Sequence, residues 1–276
     1  NGAIIDLDAI TEAITQLVDK TSQISGSRIN SAYINLSSAN AKQEIVNSVI
    51  TLPQRGCEIT QKNIESLIES CKIVSIPLER QLLYLLPVEY TVDGQDGVKD
   101  PAGLCGSRLE ARILIVTVPF NQAHNLVKAA NSAGLEVEEI ILSPLANAAS
   151  ALNLEEKKEG ILLIDFKTDF AEISIFNAGN LIFFDVMPQG QEGITNEITS
   201  RFGIPFEMAE ELKVRYGFLD ERQRDSRNQD TIPVEWMGTR RNLIRGDLNR
   251  IISERLDQIF EGISERLKSI KNFNNT

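Results

Sequence analysis

The chain has 276 residues, 42% of them hydrophobic and 24% charged, which is typical of a soluble protein with one to three domains of roughly 100–200 residues each. Its net charge of -11 argues against a nucleic-acid-binding surface, and its three scattered cysteines and one histidine argue against a disulfide framework, a zinc site and a histidine-based triad. No stretch reaches the ~18 apolar residues of a membrane span, and the first residues lack a signal-peptide pattern, so the sequence predicts a cytosolic protein.

The first residues predict a strand, a helix and a second strand. Residues 3–7 fit a short strand, and Asp8 can cap a helix whose apolar residues recur at helical spacing through about Lys20. Residues 29–36 fit the next strand. The composition then changes at residues 37–40, where we expect an inserted domain to begin.

The inserted segment predicts a small unit of strands and one helix. Residues 44–52 fit a strand, and Thr60 can cap the helix that follows. Residues 81–92 fit an extended run that Pro87 interrupts, which indicates an edge or bulged strand because proline cannot donate to a strand ladder. Residues 108–118 fit a strong strand.

After the inserted segment, helical and strand patterns alternate. Asn121 can cap a helix that ends at Gly134, in the position where a left-handed glycine terminates helices. Residues 137–142 fit a strand, and Pro144 starts an alanine-rich helix. The charged residues 155–159 predict a hinge.

The chain is organised around a predicted three-stranded meander. Residues 161–166 fit a strand buried on both faces that brings the carboxylate of Asp165 to a sheet edge. Residues 171–175 alternate between apolar and polar before Phe176, which predicts a strand that is amphipathic for most of its length. Residues 177–180 supply a turn before a third strand at 181–187.

The last third of the chain is predicted to be mainly helical. Residues 191–201 and 206–216 fit helices, with Gly217 ending the second. An exposed strand is predicted at 232–236, and a long final helix at about 243–271.

Three segments carry a resemblance to a known family. Residues 75–111 read SIPLERQLLYLLPVEYTVDGQDGVKDPAGLCGSRLEA, which is similar to the pattern LHxIPxxYxVDGQxGIKDPxGxxGxRLEA of the FtsA family of bacterial actin-like cell-division proteins. The similarity continues through residues 125–152 and 194–217. Pilus-assembly relatives of the same fold share the meander but lack the DGQxGxKDPxGxxG segment. The chain resembles the middle two-thirds of the family.

The resemblance implies an α/β, actin-like (ribonuclease-H-like) two-lobed fold with an inserted small α+β domain of the SHS2 type. Residues 1–37 and 119–155 would form part of the first lobe, and residues 38–118 the inserted domain. Residues 156–276 would form part of the second lobe, with a smaller subdomain at about 191–245.

The resemblance also implies ATP and Mg²⁺ as cofactors, together with a set of residues that would bind them. Asp165 would hold the metal, and the nucleotide-binding positions are Asp165, Lys167, Thr168, Gly190, Glu210 and Lys213. The family's phosphate corner, DIGGGTTDIAVF, reads DFKTDFAEISIF here, so that Lys167, Thr168 and Asp169 replace three glycines. Side chains and a negative charge at these positions predict weak nucleotide binding or none.

Each of these positions also has a structural interpretation. Asp165 can cap the following turn, Lys167 can be a solvated loop residue, and Gly190 can be a turn glycine. Glu210 and Lys213 are three residues apart on a predicted helix, which fits a surface ion pair as well as a nucleotide contact.

Arginines near the last helix predict a partner-binding surface. In the family this neighbourhood receives the acidic, partly apolar C-terminal tail of FtsZ, and arginine holds carboxylates bidentately. The residues expected to bind it are Arg241, Arg245, Asn249 and Arg255. A solvated helix face is the alternative interpretation of the same residues.

The resemblance implies a division protein at the inner face of the cell membrane, which links FtsZ filaments to the membrane and to later division proteins. The fold is a nucleotide-binding one, so enzymatic activity is left open, but the altered phosphate corner argues against it. Self-association into filaments is expected through residues 38–118, and membrane contact only through segments that this chain does not include. The alternatives are an active ATP-hydrolysing actin-like ATPase and a pilus-assembly scaffold of the same fold.

Overall fold

The computed structural model of the chain describes residues 4–52, 56–73, 76–219 and 229–268. The chain divides into two compact units, Asn1–Leu163 with Ile173–Asp185, and Ile164–Glu172 with Val186–Thr276. None of the helices in these described ranges is long and apolar enough to cross a membrane.

The described helices are α1 (Leu7–Ser25), α2 (Gln61–Ser70), α3 (Phe120–Ser132), α4 (Ser143–Ala151), α5 (Leu154–Glu159), α6 (Gln191–Phe202), α7 (Phe206–Tyr216) and α8 (Arg245–Lys268), with short 3₁₀ turns at Ser38–Asn40 and Cys71–Ile73. The described strands are β1 (Ser31–Leu36), β2 (Lys42–Thr51), β3 (Cys57–Glu58), β4 (Arg80–Val92), β5 (Gln95–Val98), β6 (Cys105–Gly106), β7 (Arg108–Pro119), β8 (Glu136–Leu142), β9 (Ile161–Phe166), β10 (Ala171–Asn177), β11 (Asn180–Met187), β12 (Thr231–Trp236) and β13 (Thr239–Ile244).

The N-terminal helix begins earlier and ends later than the sequence predicts. Asp6, not Asp8, is the N-cap, and its carboxylate accepts a hydrogen bond from the backbone N–H of Ala9 at 3.0 Å. The strand predicted at residues 3–7 is wrong within the described residues, because residues 4–6 form no strand and Leu7 begins the helix. The helix continues to Gly26, whose left-handed backbone (φ +67°) terminates it.

The inserted segment builds its own sheet, in the order β2-β7-β4-β5. The helix α2 packs on it with Leu67 fully buried, and Thr60 caps that helix as predicted, through a capping box with Asn63. The register of β4 shifts between Pro87 and Glu89, which confirms the predicted bulge. The two-stranded parallel sheet β1-β8 is separate from this sheet. The domain boundaries at residues 38 and 118 stay a prediction.

Two local expectations between the inserted segment and the meander are wrong. The helix α3 begins at Phe120 after Pro119, so Asn121 lies inside its first turn and is not its cap. The charged segment predicted as a hinge forms the short helix α5, because Asn153 and Glu156 make a capping box at its start.

The meander is confirmed as a sheet in the order β11-β10-β9, and its turn uses positive φ angles at Ala178 (+51°) and Gly179 (+89°). The strand β9 is half-buried along its length, which is less than the predicted burial on both faces. The predicted amphipathic character of β10 is wrong, because Glu172 and Ser174 are as buried as their apolar neighbours. A middle strand covered on both faces has no solvent side for its polar residues.

The second unit packs α6, α7 and α8 with the hairpin β12–β13 around one apolar core. The strand predicted to be exposed at 232–236 buries Ile232 and Val234 in that core. Its partner β13 was not expected, because its polar residues give no strand pattern. The final helix begins at Arg245, and residues 269–271 of its predicted end lie outside the described residues.

Candidate functional site

The loop between β9 and β10 is bound directly to the start of α6. The backbone N–H of Lys167 donates to the carbonyl of Phe170 at 2.9 Å, which closes the loop on itself. The N–H groups of Gln191 and Glu192, at the first turn of α6, donate to the carbonyls of Lys167 and Thr168 at 2.9 and 2.8 Å. Two donors that a helix N-terminus offers to an anion are therefore satisfied by the loop itself.

Gly190 is the N-cap residue of α6 and lies against the same loop. Its backbone is extended (φ -112°, ψ -167°), a conformation open to any residue. A Cβ at this position would lie 2.4 Å from both the N of Phe170 and the carbonyl oxygen of Thr168. The structure therefore requires glycine here because of close backbone packing.

The side chain of Lys167 lies between two carboxylates. Its Nζ is 2.7 Å from Oε2 of Glu172 and 3.7 Å from Oδ2 of Asp165, and it lies 5.4 Å from the ring centroid of Phe170. Glu172 is only 2% exposed. Sequence reasoning missed Glu172, although a glutamate within the apolar run of β10 was a visible signal.

Glu210 and Lys213, which were predicted together, form a second polar cluster with Thr195. Lys213 Nζ lies 2.7 Å from Oε2 of Glu210 and donates to Oγ1 of Thr195 at 2.9 Å, while the Thr195 hydroxyl donates to Glu210 at 2.5 Å. Partial burial by itself raises the pKa of Glu210, but hydrogen bonds from Lys213 and Thr195, with the charge of Lys213, outweigh it. The pKa of Glu210 therefore lies below its ordinary value.

A pocket of about 440 Å³ opens beside this cluster within the second unit. Its wall is mostly apolar, with Phe166, Ile194, Ile252 and Leu256 among the lining residues, and Lys213 contributes its polar edge. The pocket is therefore shaped for an apolar or aromatic group.

The corner at Asp165 does not fit a Mg²⁺-nucleotide phosphate as it is packed. The ammonium of Lys167 is engaged by Glu172, and the N–H groups of Gln191 and Glu192 are engaged by loop carbonyls. The loop also meets Gly190 without room for a Cβ. A phosphate would have to displace these contacts before it could gain any of its own.

The structure places the four predicted partner-binding residues in different environments. Arg241 is exposed on β13. Arg245, at the start of α8, has a side chain only 16% exposed, and its Nε donates to the carbonyl of Tyr216 at 2.9 Å.

The other two residues of that set lie deeper. Asn249 is buried, and its Oδ1 accepts a hydrogen bond from the backbone N–H of Phe218 at 2.8 Å. Arg255 lies six residues further along α8, where its guanidinium donates to Gln258 at 2.8 Å and faces Gly193 of α6. The geometry therefore makes Arg241 the most accessible member of the set.

Two family models match the chain. The model described as the SHS2 domain inserted in FTSA matches residues 38–117, and the model described as cell division protein FtsA matches residues 162–275. Together they cover most of the chain.

Curated proteins with the same description are similar over nearly the whole chain. The cell division protein FtsA of Pseudomonas aeruginosa is 30% identical over 97% of this chain and 64% of its own length. FtsA of Bacillus subtilis is 29% identical over 98% of this chain and 61% of its own length. The chain thus spans less than two thirds of the length of these relatives.

Solved structures confirm the predicted fold class. The PilM-PilN type IV pilus biogenesis complex has a TM-score of 0.57 at 15% identity and covers 93% of this chain and 63% of its own. MreB5 of Spiroplasma citri bound to ADP has a TM-score of 0.52 at 12% identity and covers 98% of this chain and 60% of its own. At such identities the likeness shows the actin-like fold alone.

Proposed function

This chain belongs to the FtsA family of cell division proteins, and from that membership we propose that it acts in cell division as an actin-like structural protein. The observation that carries the proposal is the match of residues 38–117 to the inserted domain of FtsA. The same residues build a sheet of their own, which fits a module with its own contacts. On this proposal the protein works at the inner face of the cell membrane.

The partners follow from the same membership. FtsZ is the principal partner, residues 38–118 carry self-association into filaments, and later division proteins bind the assembled form. FtsZ docks through its acidic C-terminal tail at the surface that includes Arg241, where arginine can hold a carboxylate bidentately. Because ordering a tail offsets much of the contact energy, modest affinity is expected.

The function is structural and does not require ATP hydrolysis. The contacts of Lys167, Gln191 and Glu192 support this part of the proposal, because each engages a group that a phosphate would need. ATP and Mg²⁺, implied by the family resemblance, bind weakly or not at all to the chain.

The test is the binding of a fluorescent FtsZ tail peptide, measured by anisotropy. Arg241→Glu should weaken binding by about 1–3 kcal/mol, the scale of a hydrogen bond to a charged group. The matched control is Arg250→Glu, the same charge reversal at an exposed arginine of α8, which pairs with Asp247 of its own helix at 2.8 Å.

The loss at Arg241 should shrink as salt rises, because salt screens attraction between exposed charges. Equal binding by the parent and both variants would contradict the docking assignment. Failure of the parent chain itself to bind the tail would contradict the choice of FtsZ as the partner of this part of the protein.

A further inference from the structure

We propose that Lys167 is a built-in counter-ion, whose ammonium holds the carboxylates of Asp165 and Glu172 in place of any bound cation or nucleotide. The second unit would then keep its β9–β10 corner in one conformation whether or not nucleotide is present. This inference is independent of how FtsZ docks, since it concerns the β9–β10 corner and is tested by a different measurement.

The burial of Glu172 is the first support. A carboxylate that is 2% exposed is stable in its charged form only with a close counter-charge, because water cannot solvate it. Lys167 supplies that charge at 2.7 Å, and its own side chain is 27% exposed, so the ion pair is largely withdrawn from solvent.

The second support is the way in which the Lys167 side chain and backbone are fixed together. The ring of Phe170 lies 5.4 Å from the ammonium, at a distance that favours a cation–aromatic contact. The N–H and carbonyl of Lys167 bind Phe170 and Gln191, so the residue is held at both backbone groups. The backbone of Lys167 is thus fixed in position, and its ammonium has contacts with Glu172 and Phe170 from that position.

The positions of the Asp165 and Glu172 carboxylates indicate which ion would bind there if the Lys167 ammonium were removed. Both have an oxygen within 3.7 Å of the same Nζ atom, so they face one small space. Two carboxylates with water are a donor set that small divalent cations accept. Removal of the ammonium should therefore create a divalent-cation site where the parent has none.

Two substitutions of Lys167 distinguish the loss of its charge from the loss of its packing. Lys167→Ala removes the charge and leaves room for a hydrated ion, whereas Lys167→Met removes the charge but fills the space with an apolar chain. The control is Lys72→Ala, which removes a lysine from an ion pair with Glu69 whose side chains are 55% and 68% exposed.

The first measurement is Mn²⁺ binding, followed by the electron paramagnetic resonance signal of free Mn²⁺. Lys167→Ala should bind one more equivalent of Mn²⁺ than the parent does. The dissociation constant of this added site should be about 0.1–1 mM, the range of weak carboxylate sites. Lys167→Met should not gain this site, and Lys167→Ala with Glu172→Gln should lose it.

The second measurement is the midpoint of thermal unfolding. Lys167→Ala and Lys167→Met should each lower it by about 6 °C, because each removes the ammonium closest to a buried carboxylate, whereas Lys72→Ala should leave it almost unchanged. Millimolar MgCl₂, compared with NaCl of equal ionic strength, should restore part of the loss for Lys167→Ala only.

Three results would overturn the proposal: a parent that binds Mn²⁺ as Lys167→Ala does, a Lys167→Ala midpoint no lower than that of Lys72→Ala, or equal rescue of the Ala and Met variants by Mg²⁺. If the single variants do not fold, the double variant Lys167→Met with Glu172→Gln decides. It should fold, because the buried charge of Glu172 is removed together with the ammonium that balances it, while Asp165 is 33% exposed and can be solvated; its failure to fold would equally refute the counter-ion role.

Discussion

Replacing Gly190 by alanine tests whether the β9–β10 loop really packs on the start of α6. The added Cβ would lie 2.4 Å from two backbone atoms, whereas an ordinary contact begins at 3.4 Å, so the loop must move by about 1 Å. Such a movement would break the hydrogen bonds from Gln191 and Glu192 to the loop, now 2.9 and 2.8 Å long.

The magnitude follows from these contacts. Two lost hydrogen bonds cost about 0.5–1.5 kcal/mol each, and overpacking adds about 1–3 kcal/mol, so Gly190→Ala should destabilise the protein by about 4 kcal/mol. With a urea dependence of about 2–3 kcal/mol per molar, the unfolding midpoint should fall by about 1.5 M.

The assay is urea unfolding followed by circular dichroism, with amide exchange at Gln191 and Glu192 as the local probe. Gly262→Ala is the control, because it lies inside α8 and its Cβ would meet two side-chain ends, Cε of Met187 at 3.3 Å and Oε1 of Gln189 at 3.9 Å, and no backbone. Alanine there should be neutral or stabilising by up to about 1 kcal/mol. An unchanged midpoint and unchanged amide exchange for Gly190→Ala would refute the described packing of the loop.

Three further substitutions test other parts of the structure. Glu210→Gln should destabilise the protein at neutral pH by no more than about 1 kcal/mol, because the side chain is 40% exposed. The pKa of Glu210 is lowered in the folded state, so that difference should begin to shrink as the pH falls below the ordinary value of 4.5 and should vanish only below the folded-state pKa. A difference that does not shrink at all below pH 4.5 in acid unfolding curves would contradict the ion pair with Lys213. Asn249→Ala should cost about 2 kcal/mol in urea unfolding, because the N–H of Phe218 loses this buried acceptor; a cost below about 0.5 kcal/mol would argue against this bond. Leu67→Ala should cost about 2–5 kcal/mol in the same assay, since its side chain is fully buried between α2 and the sheet, and a cost below 1 kcal/mol would mean that this core is loosely packed.

Local chemistry in the sequence was enough to determine several elements. Thr60 caps α2 because its hydroxyl and the side chain of Asn63 act within four residues of chain. The turn at 177–180 and the left-handed Gly134 are likewise decided by residues next to each other. The family was recognisable for a related reason, because its signature is a continuous segment at 75–111 that needs no knowledge of packing.

Strands and helices made mainly of polar residues were the elements that the sequence predicted least well. The strand β13 and the inner face of β12 were missed, because the pairing of a polar strand depends on what lies opposite it in space. The helix α5 was taken for a hinge, since charged residues fit both structures until a capping box decides between them.

The candidate site likewise has some features that follow from the sequence and others that depend on the tertiary structure. The sequence by itself determined that Asp165 ends a strand, that Gly190 precedes a helix, and that Glu210 and Lys213 share a helix face. Only the tertiary structure decided that Glu172 is buried, because burial depends on which faces of β10 are covered, and only that burial makes Lys167 a counter-ion. The sequence gives the charge of a residue. Whether solvent or a neighbouring side chain balances that charge depends on how distant segments of the chain pack around it.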